Sequence, residues 1–344
     1  MSSAVRVGIC GAGWPGVQHA KGFAAAGGYK VTAVADLIPS RREKFVIEHP
    51  AARQFASAEE LAADPDIDAI IVCLPNHLHA PIAVAALRAG KHVLCEFPPT
   101  ANLAQARQME RAAAKAQKIL LFASQRRFGG NELAAKQAIS KGYLGDVYHV
   151  RATWMRTRGL PMGTGWYSDK SRSGGGALMD LGSQVLDLAW HLLGQPIPTS
   201  AYGVAHQQFR STLPDAVNCD VEDGAFALIR FEDGKSIELA ASWAINQAPQ
   251  QQGAICRVYG QQGAIEIYTP EGAMLFRNFD AKGQPKATPL NGPKVTGHTA
   301  LARHFRECIL GKTEPLPGPG EAIKIMQMLD AIYDSSAKNR SVHI

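Results

Sequence analysis

The length and composition of the chain set the first limits on what it is. Its 344 residues exceed a single hydrophobic core, so we expect two domains that share a ligand-binding crevice. With 46% hydrophobic and 19% charged residues, the sequence excludes a disordered protein. The net charge of +6 is modest and no long basic run occurs, which excludes a nucleic-acid partner.

The N-terminus and the cysteines narrow the class further. The opening MSSAVRVGIC has no secretory signal pattern, and no apolar run reaches the roughly 18 residues of a membrane span. The six cysteines show no spacing, with one another or with histidines, that predicts a metal site. We therefore expect a cytoplasmic protein with no membrane contact and no metal.

The first part of the chain alternates short apolar runs with alanine-rich helical stretches. The runs VRVGIC, VTAVAD, AIIVCL, HVLCEF and ILLFA predict strands that are buried on both faces. Helices are predicted at 15–26, 40–49, 81–89 and 103–117, with a short one opened by the capping box at Ser57. This order is typical of a doubly wound parallel sheet, a Rossmann domain that we assign to residues 1–124.

The second part of the chain has longer, alternating runs. VYHVRATW, FALIRF, SIELAASW, ICRVYG and AIEIYT predict a large, mostly antiparallel sheet that is open on one face. Helices are predicted near 179–193, 299–310 and 321–338. Residues 125–344 are therefore predicted to form an α+β domain that binds the substrate.

A glycine-rich hexapeptide directly follows the first predicted strand and opens a helix. Its residues are Gly11, Ala12, Gly13, Trp14, Pro15 and Gly16. In this context Gly11 makes the tight turn, Gly13 lets the backbone approach a pyrophosphate, and Gly16 allows close packing of helix on strand. We therefore predict a nicotinamide dinucleotide site here; a glycine-rich turn without a ligand is the alternative.

The choice between NAD and NADP depends on the end of the second strand. Asp36 is placed to bond the adenosine ribose hydroxyls and to repel a 2′-phosphate, which favours NAD. Arg41 and Arg42 follow closely, and either could accommodate that phosphate, so NADP stays possible. Their alternative role is that of exposed charges on the first turns of a helix.

A further polar segment, LPNHLH, ends the next long strand, where ligands bind in such sheets. We predict that Leu74, Pro75 and Asn76 meet the cofactor. His79 either contacts it as well or has a structural role at the start of a helix.

Taken together, several segments resemble the Gfo/Idh/MocA oxidoreductases, a family that includes glucose-fructose oxidoreductase and inositol dehydrogenase. The resemblance covers nearly the whole chain. The matching segments are residues 11–16, Pro75-Asn76 with His79, Cys95-Glu96-Phe97-Pro98, GGGALMDLGSQVLD at 174–187 and the final DAIYDSSAKNRSVHI.

This resemblance implies reversible hydride transfer between a nicotinamide and a ring carbon of a sugar or cyclitol, with a Lys and a His as acid/base residues. It places Glu96 and Phe97 in the cofactor site. It also implies a homodimer or homotetramer assembled through the C-terminal sheet.

The two acid/base positions are altered here. Phe97 stands in place of the family's Lys, and Gln184 in place of its His. Neither side chain exchanges a proton near neutral pH. On a helix Asp180, Gln184 and Asp187 lie on one face, so Gln184 is predicted to bind substrate. Asp180 is predicted to act as the base or to orient substrate, or else to serve as an acid favoured by the helix dipole.

Two further acid/base candidates precede a second glycine-rich loop, at 174–176. Tyr167 could donate to a developing alkoxide, and a desolvated Lys170 could have a lowered pKa. Trp166 lies beside them and is predicted to contact substrate. The alternative for Lys170 is a solvated loop charge.

Two arginines are predicted to share a strand face. Arg156 and Arg158, together with Lys170 and Arg172, could bind a carboxylate or phosphate of the substrate. An exposed strand face covered by arginine stems is the alternative.

The leading hypothesis is thus an NAD(P)-dependent oxidoreductase of a sugar, cyclitol, sugar acid or related small molecule. An aromatic residue at position 97 also resembles biliverdin reductase, which widens the substrate class beyond sugars. One alternative is a non-catalytic sensor or scaffold subunit that binds NAD(P). Another is elimination or glycoside cleavage through transient oxidation, with Lys170 or Tyr167 as the base.

Overall fold

A computed structural model describes residues 4–160, 165–212, 219–269 and 272–344. By its packing the chain forms two compact units. Unit 1 runs up to Phe128 and includes Val295–Ile323, and unit 2 comprises Gly129–Lys294 and Lys324–Ile344. The predicted boundary at residue 124 divides the chain once, whereas these units divide it at three places.

Unit 1 is built on a parallel sheet. Its strands are β1 (Val5–Cys10), β2 (Tyr29–Ala35), β3 (Arg53–Phe55), β4 (Ala69–Val72), β5 (His92–Cys95) and β6 (Leu120–Phe122). Their order is β3-β2-β1-β4-β5-β6, and every neighbouring pair is parallel. The predicted Rossmann sheet is therefore confirmed, with the short, largely exposed β3 in addition.

Helices accompany the strands of unit 1. They are α1 (Trp14–Ala26), α2 (Pro39–Glu48), α3 (Ala58–Ala63), α4 (Asn76–Arg88), α5 (Leu103–Ala116) and, late in the chain, α9 (Gly297–Ile309). The N-cap bond of the predicted capping box is present, since the Ser57 hydroxyl accepts from the Glu60 N–H at the start of α3. Leu301 and Phe305 of α9 are buried in the same core cluster as Phe23 of α1.

The predicted start of α4 at residue 81 is wrong. The helix begins at Asn76 and contains Pro81, which removes one main-chain hydrogen bond from its interior. Burial of Ala80, Ile82 and Leu87 stabilises the helix across the proline.

Unit 2 is built on a larger sheet. Its strands are β7 (Val147–Met155), β8 (Pro198–His206), β9 (Gly224–Phe231), β10 (Ser236–Ser242), β11 (Gly253–Gly260), β12 (Gly263–Thr269), β13 (Gly272–Arg277), β14 (Lys286–Leu290) and β15 (Val342–His343). Among the described residues their order is β14-β13-β12-β11-β7-β10-β9-β8-β15. Each pair is antiparallel except β10 with β7, which confirms the mostly antiparallel sheet.

One face of this sheet is covered and the other is open. The helices of unit 2 are α6 (Gly130–Ser140), α7 (Lys170–Ser173), α8 (Ser183–Leu193) and most of α10 (Pro319–Lys338), whose first residues belong to unit 1, with a π-helical turn at Leu178–Gly182. Short 3₁₀ turns lie at Gln125–Phe128, Arg210–Thr212 and Pro249–Gln251. Tyr202, Phe226 and Leu228 are exposed on β8 and β9, and Tyr202 pairs with Leu228 across the strands.

The helix predicted near 179–193 is present, and its first turn is π-helical. The Ser183 N–H bonds the Leu178 carbonyl, five residues back, instead of the residue four back. In the part of the chain that the structure describes, no helix combines the length and the hydropathy of a membrane span.

Candidate active site

The loop between β1 and α1 is shaped by two glycines. Gly11 has a φ of +101°, and a Cβ there would lie 2.2 Å from the Cys73 carbonyl oxygen. A Cβ at Gly16 would lie 1.9 Å from the Gly11 carbonyl oxygen, so only glycine lets α1 approach the loop this closely. Both positions are fixed by the protein's own backbone.

Gly13 differs from these two. A Cβ there would meet no atom nearer than the Pro15 Cδ at 3.8 Å, so the protein leaves space in front of this residue. Gly13 is the N-cap of α1, no side chain caps the helix, and Trp14 is exposed. A helix N-terminus with no side-chain cap among the described residues, and with open space in front of it, suits a pyrophosphate, so these residues fit the dinucleotide.

Asp36 organises the neighbouring loop. One carboxylate oxygen accepts the Ala12 N–H and the other accepts the Ile38 N–H, each at 2.9 Å. The Arg42 guanidinium donates to the Asp36 carbonyl, whereas Arg41 is exposed, with its Nη1 3.8 Å from the carboxylate. Arg42 is thereby held on the loop backbone, and Arg41 is the arginine left on the surface here.

His79 connects two loops of unit 1. Its ring is buried, with Nε2 2.8 Å from the Leu74 carbonyl oxygen and Nδ1 3.0 Å from that of Pro98. Burial lowers the pKa of the imidazole, although the carbonyl contacts oppose this. His79 therefore joins the segments that follow β4 and β5, as in the structural alternative.

Glu96, at the end of β5, lies at the centre of a polar network. Its Oε1 is 2.6 Å from His19 Nε2 and accepts from Gln125 Nε2 at 3.0 Å, while Oε2 accepts the Phe97 N–H. Burial acts to raise the pKa of this carboxyl, but the bond and charge of His19 outweigh it and the pKa lies below its ordinary value. An ionised Glu96 thus fixes the backbone of Phe97, whose ring packs against the core of unit 1.

The network extends to His298 of α9. Ligand-type atoms of His19, Glu96 and His298 all lie within 4.8 Å of one another, a spacing that some metal sites also show. The 2.6 Å contact of His19 with Glu96 is shorter than the about 3.4 Å between two ligands around a tetrahedral zinc. These contacts are those of a hydrogen-bonded cluster. Sequence reasoning missed it because its members come from α1, β5 and α9 and share no local motif.

In unit 2 the glycine-rich loop at 174–176 is held by a partly buried acid, Glu222. Glu222 Oε1 accepts the N–H groups of Gly176 and Leu178 and the Tyr333 hydroxyl, all at 2.9 Å. Burial raises the pKa of Glu222, partly offset by these bonds. Glu222 and Tyr333 thus fix the backbone that leads into the π-helical turn, and no local sequence pattern predicted them.

Asp180 lies in that turn. Its Oδ2 accepts the Trp243 indole N–H at 2.8 Å, and among the described residues Oδ1 accepts no hydrogen bond. Burial raises the pKa of the Asp180 carboxyl, while the Trp243 bond and the charge of Arg156 act in the opposite direction. An acid with a raised pKa, and with an oxygen that accepts no bond from the described residues, can take up and release a proton.

Gln184 is one turn further along, and its Nε2 donates to the Asp180 carbonyl at 3.1 Å. The side chain is thereby tied to the turn that carries Asp180. Asp187 is buried in α8.

The other two acid/base candidates have different surroundings. Tyr167 stacks on Trp166, with ring centroids 3.8 Å apart, and packs against the cluster that contains Trp243. Lys170 is exposed at the start of α7, and its ammonium lies 5.8 Å from the centre of the Tyr333 ring. The aromatic pair therefore lies in the neighbourhood of Trp243, whereas Lys170 is a surface cation.

The prediction that Arg156 and Arg158 share a strand face is wrong. β7 ends at Met155, because β10 and β11 pair with it only as far as that residue. Arg156 lies over the Trp154 ring at 5.5 Å, whereas Arg158 donates to Asn246 and lies over Phe209. The two cations have separate partners, and Arg156 is the one whose charge acts on Asp180.

These features define a class, an oxidoreductase with a dinucleotide-binding Rossmann domain and a second sheet domain. Comparison with known families agrees. Residues 5–124 match the oxidoreductase family NAD-binding Rossmann fold, and residues 136–344 match the C-terminal alpha/beta domain of the same family. The chain belongs to the Gfo/Idh/MocA family.

Several characterised relatives are similar over almost their whole length. The chain is 31% identical to D-glucoside 3-dehydrogenase of Escherichia coli, covering 100% of this chain and 98% of the relative. It is 27% identical to an NADP⁺-linked scyllo-inositol 2-dehydrogenase of Bacillus subtilis, covering 98% and 95%. Its fold matches levoglucosan dehydrogenase in complex with NADH and levoglucosan, with a TM-score of 0.88, 22% identity and coverage of 99% and 100%.

Proposed function

We propose that this protein is an NAD-dependent dehydrogenase of a sugar, cyclitol or sugar acid in which Asp180 exchanges the proton of the substrate hydroxyl. The observation that supports it most is the Asp180 carboxyl itself. It is partly buried, its pKa is raised, one oxygen accepts from Trp243, and the other accepts no bond from the described residues.

The residues of unit 1 would hold the cofactor, which when bound accepts or supplies the hydride. Gly13 leaves room for the pyrophosphate, and Leu74, Pro75 and Asn76 follow β4 at the edge of the sheet where such ligands bind. Asp36, fixed by two backbone N–H groups, favours the ribose hydroxyls of NAD over a 2′-phosphate. Exposed Arg41 is the residue through which NADP would be accepted instead.

In this proposal a residue of unit 2, Asp180, accepts and donates the proton of the substrate hydroxyl. Phe97 and Gln184 stand where the family has its Lys and His, and neither titrates near neutral pH. In oxidation, Oδ1 of ionised Asp180 takes the hydroxyl proton while the carbinol carbon loses its hydride. In reduction, the protonated acid returns that proton to the new alkoxide.

The substrate class is proposed from the relatives and from one cation. The relatives are named for a glucoside and an inositol, which are polyhydroxylated rings. The guanidinium of Arg156 acts on Asp180 and would attract a carboxylate, which brings sugar acids into the class. Trp166, Tyr167 and Gln184 are the proposed contacts of the sugar ring.

The open face of the unit 2 sheet is the proposed subunit contact. Tyr202, Phe226 and Leu228 place apolar surface there, which a second copy of the chain would cover in a homodimer or homotetramer.

The test is the initial rate of NADH formation with neutral sugars, cyclitols and sugar acids, each with NAD⁺ and NADP⁺. We expect turnover with at least one class, a preference for NAD⁺, and loss of turnover in Asp180→Asn. Tight NAD⁺ binding without turnover of any class would contradict the proposal and point to a sensor subunit.

A further inference from the structure

We propose that Trp243 is a positioning residue that selects which oxygen of Asp180 exchanges the proton. The indole N–H holds Oδ2 at 2.8 Å, so Oδ1 is the oxygen that meets the substrate hydroxyl. This inference rests on the proposed role of Asp180.

The indole is well suited to this task because it is immobilised. Trp243 directly follows β10, is 1% exposed, and packs among Ala177, Leu181 and Ala241. Its own backbone N–H donates to the Asp223 carbonyl at 2.8 Å. A donor fixed at both backbone and ring keeps the carboxylate in one orientation, which a flexible or solvated donor would not do.

Few charged groups act on the Asp180 carboxylate besides the Trp243 indole N–H. Arg156, just beyond β7, is the cation that acts on the Asp180 carboxylate. Glu222, two residues before β9, and Tyr333 of α10 approach the same turn but bond its backbone and each other. Lys170 lies over Tyr333 on the outer side.

The sign of the effect follows from which form the indole bonds. A donor to a carboxylate stabilises the ionised form, so removing the N–H raises the pKa of Asp180 further. Oxidation requires the ionised form, and its rate falls as pH drops through that pKa. The oxidation rate plotted against pH has an acidic limb at the pKa of Asp180. Loss of a hydrogen bond to this charged group therefore shifts that limb to higher pH, by about one unit.

The first experiment compares two matched variants of the full-length protein with the cofactor bound. Trp243→Phe removes the donor to Asp180, whereas Trp190→Phe removes an equally buried indole of unit 2, whose N–H bonds the Pro196 carbonyl at 2.8 Å. We expect the acidic limb of kcat to shift upward in Trp243→Phe alone. If the acidic limb of Trp243→Phe coincides with that of the parent while Asp180→Asn is inactive, Trp243 does not have this role. The proposed function is then unaffected.

A second measurement needs no destabilising variant. Protein labelled with 5-fluorotryptophan has five ¹⁹F resonances, one for each tryptophan. We expect one of them to titrate with the midpoint of the acidic limb and to stop titrating in Asp180→Asn. If no resonance depends on Asp180, Trp243 does not sense this carboxyl and the inference fails. If Asp180→Asn retains full activity, the proposed function itself fails.

Discussion

Unit 1 and unit 2 prepare their chemistry in different ways. In unit 1 the groups that suit the dinucleotide belong to one short loop, where Gly11 and Gly16 bring the backbone close and Gly13 leaves space. In unit 2 the candidate acid/base group depends on partners far along the chain: Asp180 is 63 positions from Trp243, and Glu222 is 111 positions from Tyr333. A loop of backbone donors can serve one ligand throughout a family, whereas a site made of distant side chains can be altered residue by residue. The dinucleotide loop is therefore a local feature of the sequence, whereas the surroundings of Asp180 depend on the fold of unit 2.

The largest effects expected in unit 1 distinguish Gly16, which is needed for folding, from Gly13, which is needed for binding the cofactor. Gly16→Ala brings a Cβ to 1.9 Å from the Gly11 carbonyl and should cost about 3 kcal/mol or more of folding free energy. Gly13→Ala meets nothing nearer than 3.8 Å, so the fold should be kept while the Kd for NAD⁺ rises about tenfold or more. Thermal unfolding and fluorescence titration measure the two effects. Equal destabilisation by both changes would contradict the division of roles.

The next effect tests Glu222, the partly buried acid of unit 2. Glu222→Leu leaves the N–H groups of Gly176 and Leu178 and the Tyr333 hydroxyl without their acceptor, and should destabilise unit 2 by about 3 kcal/mol. Tyr333→Phe removes only one donor and should cost about 1 kcal/mol. Hydrogen exchange of residues 176–182 reports the loss locally. If Tyr333→Phe were as harmful as Glu222→Leu, the ring and not the acid would hold the loop.

A smaller effect is expected at Asp180, where a substitution should increase the stability of the fold instead of lowering it. Because burial raises its pKa in the folded protein, the ionised carboxylate reduces stability at pH values above that pKa, and the penalty vanishes below the ordinary pKa of an aspartate. Asp180→Asn should therefore unfold at a higher temperature than the parent at pH 8, with the difference disappearing near pH 4. A variant less stable than the parent at pH 8 would show that the charge is compensated in the fold.

The sequence predicts the features that local patterns determine. The strands β1, β4 and β5 are nearly continuous apolar runs, and the capping box of α3 lies within four residues. The short, exposed β3 and the exposed, proline-containing β14 have no such signal and were not predicted. The start of α4 was misjudged because tertiary burial outweighs the helix penalty of Pro81.

The site is predictable to a smaller extent. Asp180 was singled out from its position in a motif, but its Trp243 donor and the Glu222 acceptor of its turn depend on tertiary pairing. The same holds for Glu96 with His19 and Gln125. The π-helical turn was missed because helical periodicity assumes regular bonds to the residue four back. Residue types can thus name a candidate acid, while its pKa and the bonding of its carboxylate oxygens follow only from the fold.

The most direct test of the account is the rate of hydride transfer in a single turnover of the NAD⁺ complex of Asp180→Asn. Asp169→Asn is the matched control, since the Asp169 carboxylate accepts the N–H and the hydroxyl of Ser171 at the start of α7. The account predicts that the rate falls by about a hundredfold to ten-thousandfold in Asp180→Asn, with NAD⁺ affinity unchanged and Asp169→Asn close to the parent. A rate equal to that of the parent would contradict the central claim that Asp180 exchanges the proton.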